Sequence, residues 1–380
     1  MTSGWRDTAS DATRAMQGAC PFAREDMMSE PEDSNDDPRK RPSTIIDVAN
    51  SAGVAIGTVS RYLNGFPVRA GNRDQIEQAI EQLGYRRNAL AAAMKTDLTN
   101  VVGLMVPRLD DFHASMLEQL SRKMRGIGRA ILSYAHDSDA RSIKDGLDFF
   151  AAHRVDCLVM DGQQDVGDRI RLLLDHGTPV VFYDNDVRGL PVDRVFVENR
   201  AASYRAVSHL LDIGHTRVAC ITGSQVDFTG RERFAGYEEA LADRGFDIDP
   251  DYVIDGGWGE QGGHAAMRRW LALERPPTAV YSSNYNMTVG VLALLKEYKL
   301  KVPDDVSLIS FDDVPLFKLH DAGITAIAQP VERIAETIAG MLLNRLNNHT
   351  SRAPHATITL DCDIILRGST RRLLTPSAFE

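Results

Sequence analysis

Between residues 42 and 86 the apolar positions recur at helical spacing. After Thr44, the residues Ile45, Val48, Ala49 and Ala52 fall at i, i+3, i+4 and i+7, Asp47 stands where a capping box needs an acid, and Gly53 ends the run. A second helix is predicted from about 56 to 64, with Val59, Tyr62 and Leu63 inward, Ile56, Gly57, Thr58, Ser60 and Arg61 outward, and Gly65 as its stop. A third opens at Asn72, carries Ile76, Ala79, Ile80 and Leu83 on one face, and stops at Gly84. Residues 85–95 are alanine-rich, with only Leu90 and Met94 as large apolar groups, which makes a marginal free helix.

From residue 100 the pattern changes to short apolar runs separated by helical stretches. Strands are predicted at 101–107, 130–135, 156–162 and 179–185, and then at 217–223, 252–257, 278–284, 306–313 and, as one final strand, 357–369. The helices between them are predicted at 114–125, 141–153 and 166–176, then from 201, over 231–244 and 262–273, and up to 300. The rhythm describes two parallel α/β units in tandem, each sheet covered on both faces. Ligands of such sheets bind beyond the carboxyl ends of the strands, which nominates Asp110, Phe112, Asp184 with Asn185, Trp258, Asn284, Asp312 and Gln329, joined by Arg233 at the start of its helix. Arginine, carboxylate and amide groups around a Trp face suit a polyol: the polar groups fix hydroxyls and the ring covers C–H surface.

The outward face of the second helix carries no acid, and small residues, hydroxyls and one long Arg are what a helix entering the major groove requires. Helix pairs are common, so these features alone are equally those of a plain helical pair. The string IIDVANSAGVAIGTVSRYLN is more specific: it resembles the head-piece signature of the lactose/galactose-repressor family, with D-V-A, A-G-V and T-V-S-R-x-x-N in order. The resemblance implies an all-α helix-turn-helix head on a periplasmic-binding-protein-like domain of two Rossmann-like lobes. It further implies a homodimeric regulator, expected to be a repressor, that reads a near-palindromic operator under control of a small effector, expected to be a sugar or sugar derivative. Its DNA contacts would come from Thr44, Ile56, Gly57, Thr58, Ser60, Arg61, Asn64 and Asn88, with Met94 in a hinge helix wedging the minor groove. GRERFAGYEEAL is similar to the family's effector-holding segment and points to Arg233, TAVYSSNYNMTVGVL to Asn284, and VSLISFDDVP to Asp312. Some positions depart from the family pattern: Ala55 where Ser usually caps, Arg87 in place of Pro, and Tyr285 where Asp is usual.

The expected organisation is an acidic disordered arm over 1–41 ending in a basic triplet, a DNA-binding head over 42–87, a hinge over 88–99, and an effector domain over 100–380. Within the last, lobe 1 takes 100–199 and 331–355 and lobe 2 takes 200–328 and 356–368. A net charge of −10 looks wrong for a DNA binder until it is divided. Residues 39–100 hold nine Lys/Arg against five Asp/Glu, a local +4, so the remainder carries −14. No apolar run is long enough to span a membrane and no basic n-region precedes an apolar core, so a cytoplasmic location without membrane contact is expected. The cysteines Cys20, Cys157, Cys220 and Cys362 are scattered, indicating neither disulfide nor thiolate metal site.

Competing chemistry finds little support. Gly257-Trp258-Gly259-Glu260-Gln261-Gly262 matches G-x-G-x-x-G, but it lies outside the first unit and the next strand ends in Asn284 rather than an acid, against a dinucleotide enzyme. His209 and His215, six apart, face different ways and suit structural roles better than a metal pair. No cofactor and no catalytic residue is expected. An exported sugar receptor would share the large domain but lack the head.

Overall fold

The computed structural model describes residues 43–86, 98–163, 166–347 and 354–373. The expected arm, Arg87, Asn88 and Met94 lie outside the described residues. The chain divides into two compact units, Met1–Arg87 and Asn88–Glu380.

The described residues of the first unit form three helices: α1 (Ile45–Ser51), α2 (Ile56–Leu63) and α3 (Ala70–Leu83). The capping box forms as the spacing predicts, with Thr44 Oγ1 accepting from the Asp47 amide and Asp47 Oδ2 accepting from the Thr44 amide at 2.8 Å. Ala55 caps α2 with no side-chain bond. Val48, Ala49, Ala52, Val59, Ile76 and Ala79 make the buried core, flanked by Ile45, Tyr62, Leu63, Ile80 and Leu83. One boundary differs from expectation: α3 starts at Ala70, two residues before Asn72, because the turn begins after Arg69 without any side-chain cap to mark it.

The second unit contains two six-stranded sheets. In lobe 1 the strands are β1 (Val101–Val106), β2 (Ala130–Ala135), β3 (Cys157–Asp161), β4 (Val180–Tyr183), β5 (Asp193–Val197) and β11 (Thr357–Leu360), all in parallel pairs. Lobe 2 has β6 (Val218–Thr222), β7 (Val253–Asp255), β8 (Ala279–Ser282), β9 (Ser307–Phe311), β10 (Thr325–Ala328) and β12 (Asp363–Ile365), the last antiparallel to β10. The covering helices are α4 (Asp111–Gly126), α5 (Ala140–Ala152), α6 (Gly167–Asp175), α7 (Asn199–Asp212), α8 (Phe228–Ala242), α9 (Glu260–Leu271), α10 (Tyr285–Glu297) and α11 (Val331–Asn347). Central strands such as β3, β6 and β9 are buried throughout, as a doubly covered sheet requires.

Three expectations are corrected. The strand β5, DRVFV, and the strand β10, TAIA, were not expected as elements. The run 357–369 is not one strand but two in different sheets, so residues 357–360 belong to lobe 1 rather than to a lobe 2 segment beginning at 356. The chain therefore crosses between lobes three times, near Glu198, near Gln329 and at residues 361–362. Around the first and last crossings Glu198 Oε1 accepts from Arg205 Nη2 (2.6 Å) and from the Cys362 amide (2.9 Å), while Arg205 Nη2 also donates to the Cys362 carbonyl (2.8 Å).

The last glycine of the G-x-G-x-x-G run, and two glycines beyond the run, have packing explanations. A Cβ on Gly262 would stand 1.9 Å from the Gly256 carbonyl oxygen, and one on Gly263 1.9 Å from that of Met287. Gly290 on α10 meets the Glu260 carbonyl at the same distance, so these glycines let α9 and α10 touch backbone to backbone. Among the described residues no helix is long and apolar enough to cross a membrane, and no His/Cys/Asp/Glu group could hold a metal. His209 reaches Thr370, and His215 bonds both Thr278 and the Arg371 carbonyl. The thiols of Cys157, Cys220 and Cys362 are free and buried, and burial pushes Cys157 and Cys362 up to about 12, which keeps them protonated.

Candidate ligand cleft and DNA-facing helix

On the head, the outward residues of α2 stand where the periodicity predicts. Ile56, Gly57, Arg61 and Asn64 are exposed, Thr58 and Ser60 are half-buried, and Thr44 is exposed at the start of α1. Arg61 lies 5.7 Å from the Phe66 ring centre, and Asn64 Nδ2 bonds the Ser60 carbonyl at 2.7 Å, which turns the last turn of α2 into a fixed platform.

In the second unit, one cleft of about 540 Å³ is lined by all nine residues nominated there: Asp110, Phe112, Asp184, Asn185, Arg233, Trp258, Asn284, Asp312 and Gln329. They arrive from both lobes, each at a strand end or a helix start, because both sheets present their carboxyl edges to the same gap. Arg233 is 3% exposed. Its Nε donates to Asn199 Oδ1 (2.8 Å), its Nη1 to the Ser283 carbonyl (2.6 Å), and its guanidinium lies 3.5 Å from the Phe311 ring centre and 5.7 Å from that of Trp258. The indole N–H of Trp258 donates to Asp227 (2.7 Å), and its ring packs where any side chain on Gly223 would stand. Asp184, Trp258 and Asp312 hold left-handed backbone, with φ of 58°, 63° and 72°. For a tryptophan this conformation costs on the order of 1–3 kcal/mol, and the surrounding bonds hold it in place.

Several nominated groups also serve the fold. Asp110 caps α4, accepting from the His113 amide (3.1 Å) and ring Nδ1 (2.6 Å). Asn284 caps α10 through Oδ1 to the Met287 amide (2.9 Å), and its Nδ2 donates to the Trp258 carbonyl (3.0 Å), so both ends of its amide have partners. Gln329 donates to Asp312 at 2.6 Å. Phe112 meets the His113 ring edge-on at 5.1 Å.

Charge is tuned by burial. Burial pushes the carboxyls of Asp184 and Asp312 up from the usual range, with Arg233 pulling in the opposite direction. Asp227 is likewise pushed up by burial. For Asp110 burial acts the same way, but the hydrogen bond and charge of His113 outweigh it and its carboxyl ends lower; the His113 ring is raised, the Asp110 bond overcoming the burial that opposes its charge.

Other residues of the cleft were not nominated from the sequence. Asp161 ends β3 and was within reach of the strand-end rule. His113, Asp227 and Thr229 lie within or just before helices, where no strand-end pattern marks them. Thr229 joins the lobes: its Oγ1 donates to Asp184 at the carbonyl (2.7 Å) and Oδ1 (3.0 Å), and its amide to Asn185 Oδ1 (3.1 Å). Tyr285, the departure from the family pattern, makes a second link, its hydroxyl accepting from the Asp111 amide at 3.2 Å.

Comparison with known proteins agrees with both halves. Residues 44–88 match the family described as bacterial regulatory proteins, lacI family, and residues 207–370 match the periplasmic binding protein-like domain. The HTH-type transcriptional repressor CytR of Escherichia coli (strain K12) is 30% identical over 87% of this chain and 97% of its own length. This chain belongs to the LacI family. It is accordingly a DNA-binding transcriptional regulator rather than an enzyme. Among solved structures, the complex of the transcriptional regulator CelR with cellobiose is 27% identical, with a TM-score of 0.65 over 87% of this chain and 100% of that one. The lac repressor dimer bound to operator and the anti-inducer ONPF shares the fold at 23% identity, with a TM-score of 0.77 over the same shares.

Proposed function

We propose that this LacI-family regulator acts in the cytoplasm as a homodimeric repressor of a near-palindromic operator, and that a carbohydrate in the two-lobed cleft sets its affinity for DNA. The observation that carries the effector reading is the convergence of all nine nominated side chains, from both lobes, on one cleft built of carboxylates, one buried guanidinium and a Trp face. Such a lining fits hydroxyl groups above and C–H surface below. The cellobiose bound to CelR supports the same class of ligand. On the head, Arg61 is the side chain suited to a guanine edge, with Thr44, Thr58, Ser60 and Asn64 on phosphates, Ile56 and Gly57 against bases, and Asn88 and Met94 completing the contact from the hinge.

Lobe closure on the ligand would rotate the two lobes relative to one another. A coupling of about 1–3 kcal/mol would change operator affinity roughly 5- to 150-fold. The test is a thermal-shift screen of neutral sugars on the full chain, repeated on Gln329→Leu, with operator binding followed by fluorescence anisotropy. A sugar that raises the melting temperature of the parent, does so less in the variant and changes operator affinity supports the reading. Operator binding that survives deletion of residues 1–64, or no response to any sugar, overturns it.

A further inference from the structure

The cleft also carries information about the charge of what it holds. Among the described residues seven aspartates line it, against the arginines Arg108 and Arg233 and the histidine His113. Arg108 is exposed, so Arg233 is the one buried arginine of the lining. Its donors already go to Asn199 and to the Ser283 carbonyl, and its charge pulls Asp184 and Asp312 toward the ionised form. His113 is bound to Asp110, and behind the lining Arg194 pairs with Asp186 at 2.7 Å and His136 meets Asp161 at 3.2 Å, which leaves Asp184, Asp227 and Asp312 as the inner carboxyls with no salt bridge among the described residues.

Helix N-termini facing a cleft are the other ordinary source of positive potential for an anion. Here at least one free amide of each of three such helix starts is already bonded to the protein. Asp110 takes the His113 amide of α4, Asn284 takes the Met287 amide of α10, Asn185 takes the Thr229 amide of α8, and the Tyr285 hydroxyl takes the Asp111 amide. An incoming anion would meet aspartates on both lobes, a guanidinium already engaged with Asn199 and Ser283, and helix ends already bonded in part.

We propose that the effector is a ligand without negative charge, a neutral polyhydroxyl compound or its amine-bearing analogue, and that the cleft excludes uronates, aldonates and phosphate esters. The inference rests on the cleft being the effector site, as proposed above, but not on the ligand being a sugar. An amine would sit among Asp184, Asp227 and Asp312, which have no salt-bridge partner among the described residues, and a neutral hydroxyl can donate to any of them. A carboxylate or phosphate would add a like charge within a few ångströms of Asp161, Asp184, Asp227 or Asp312 in a partly dehydrated space. At an effective dielectric near 20, one such unrelieved contact weakens binding by about tenfold or more.

The experiment uses the full-length protein and matched probes: glucose, glucuronate and glucosamine; galactose, galacturonate and galactosamine; ribose and its phosphate ester; cytidine and its monophosphate. Thermal shift finds the binding series and calorimetric titration ranks its members. The expected result is that each anionic member binds about tenfold or more weakly than its neutral partner. Asp227→Asn and Asp161→Asn, which remove a charge while keeping the shape, are each expected to narrow that gap, an effect that loss of packing alone would not produce. An anionic member binding as tightly as its neutral partner, or a gap that neither variant narrows, overturns the inference. If only the cytidine pair binds, with the neutral member preferred, the charge rule stands and the carbohydrate reading falls. A panel in which nothing binds overturns both.

Discussion

Replacing Arg233 by alanine tests the electrostatics of the cleft most directly. The guanidinium is 3% exposed, donates at 2.8 Å to Asn199 and 2.6 Å to the Ser283 carbonyl, and stacks 3.5 Å from the Phe311 ring centre. Its removal strands two buried acceptors and takes away the positive charge that pulls Asp184 and Asp312 toward the ionised form. Leaving a buried acceptor unpaired costs about 1–3 kcal/mol each, so two cost about 2–6 kcal/mol, and the lost packing on Phe311 works in the same direction. At roughly 2–4 °C per kcal/mol for a unit of this size, calorimetry of the full chain should show the second unit melting about 10 °C lower.

The loss should also depend on pH. Burial already raises the carboxyl values of Asp184 and Asp312, and Arg233 opposes that rise. Without the guanidinium the folded-state values climb further above those of the unfolded chain. The penalty is then full above the folded-state values and shrinks as pH falls through them, where the carboxyls are protonated in the folded protein. The gap between parent and variant at about pH 8 should therefore exceed the gap at about pH 5. A difference under about 1 kcal/mol that is constant with pH would refute the view of Arg233 as the counter-ion of this cleft.

Gly290→Ala places a methyl group 1.9 Å from the Glu260 carbonyl oxygen, so α9 and α10 must part, and chemical denaturation should show a loss of about 3 kcal/mol; a loss under about 1 kcal/mol would mean the two helices can move apart cheaply. Thr229→Val keeps shape but removes the hydroxyl that donates to Asp184 across the lobes at 2.7 and 3.0 Å, and should weaken sugar binding by roughly tenfold while leaving DNA affinity of the ligand-free protein within about twofold; an unchanged sugar affinity would show that the link does not favour closure.

Much of the head was legible because its apolar residues recur at helical spacing and because Thr44 and Asp47 spell a capping box. The start of α3 was not, since Arg69 offers no capping side chain to read. In the large domain the central strands announced themselves as unbroken apolar runs. The strand β5 did not: its Asp193 and Arg194 look like a loop until Asp193 is seen to be buried against Arg345 at 2.8 Å, a partner far along the chain. The break of 357–369 into two strands depends on which sheet edge stands nearby, which is a tertiary fact. The strand-end rule placed eight side chains in one cleft, because a parallel sheet puts its chemistry at one edge. It could not reveal that Asn284 and Asp110 cap helices while lining that cleft, or that Tyr285 spans the lobes.

The third crossing between lobes sets a limit on motion. From Leu360 at the end of β11 to Asp363 at the start of β12 the chain takes three steps, at most roughly 11 Å of extended backbone. Two edge strands, one in each sheet, are thereby held on a tether too short for the lobes to part widely. With Glu198 and Arg205 fastening the same spot to the first crossing, the permitted movement is a twist about this corner rather than a separation. A cleft beside such a joint opens at the rim away from the tether while the side next to it stays shut.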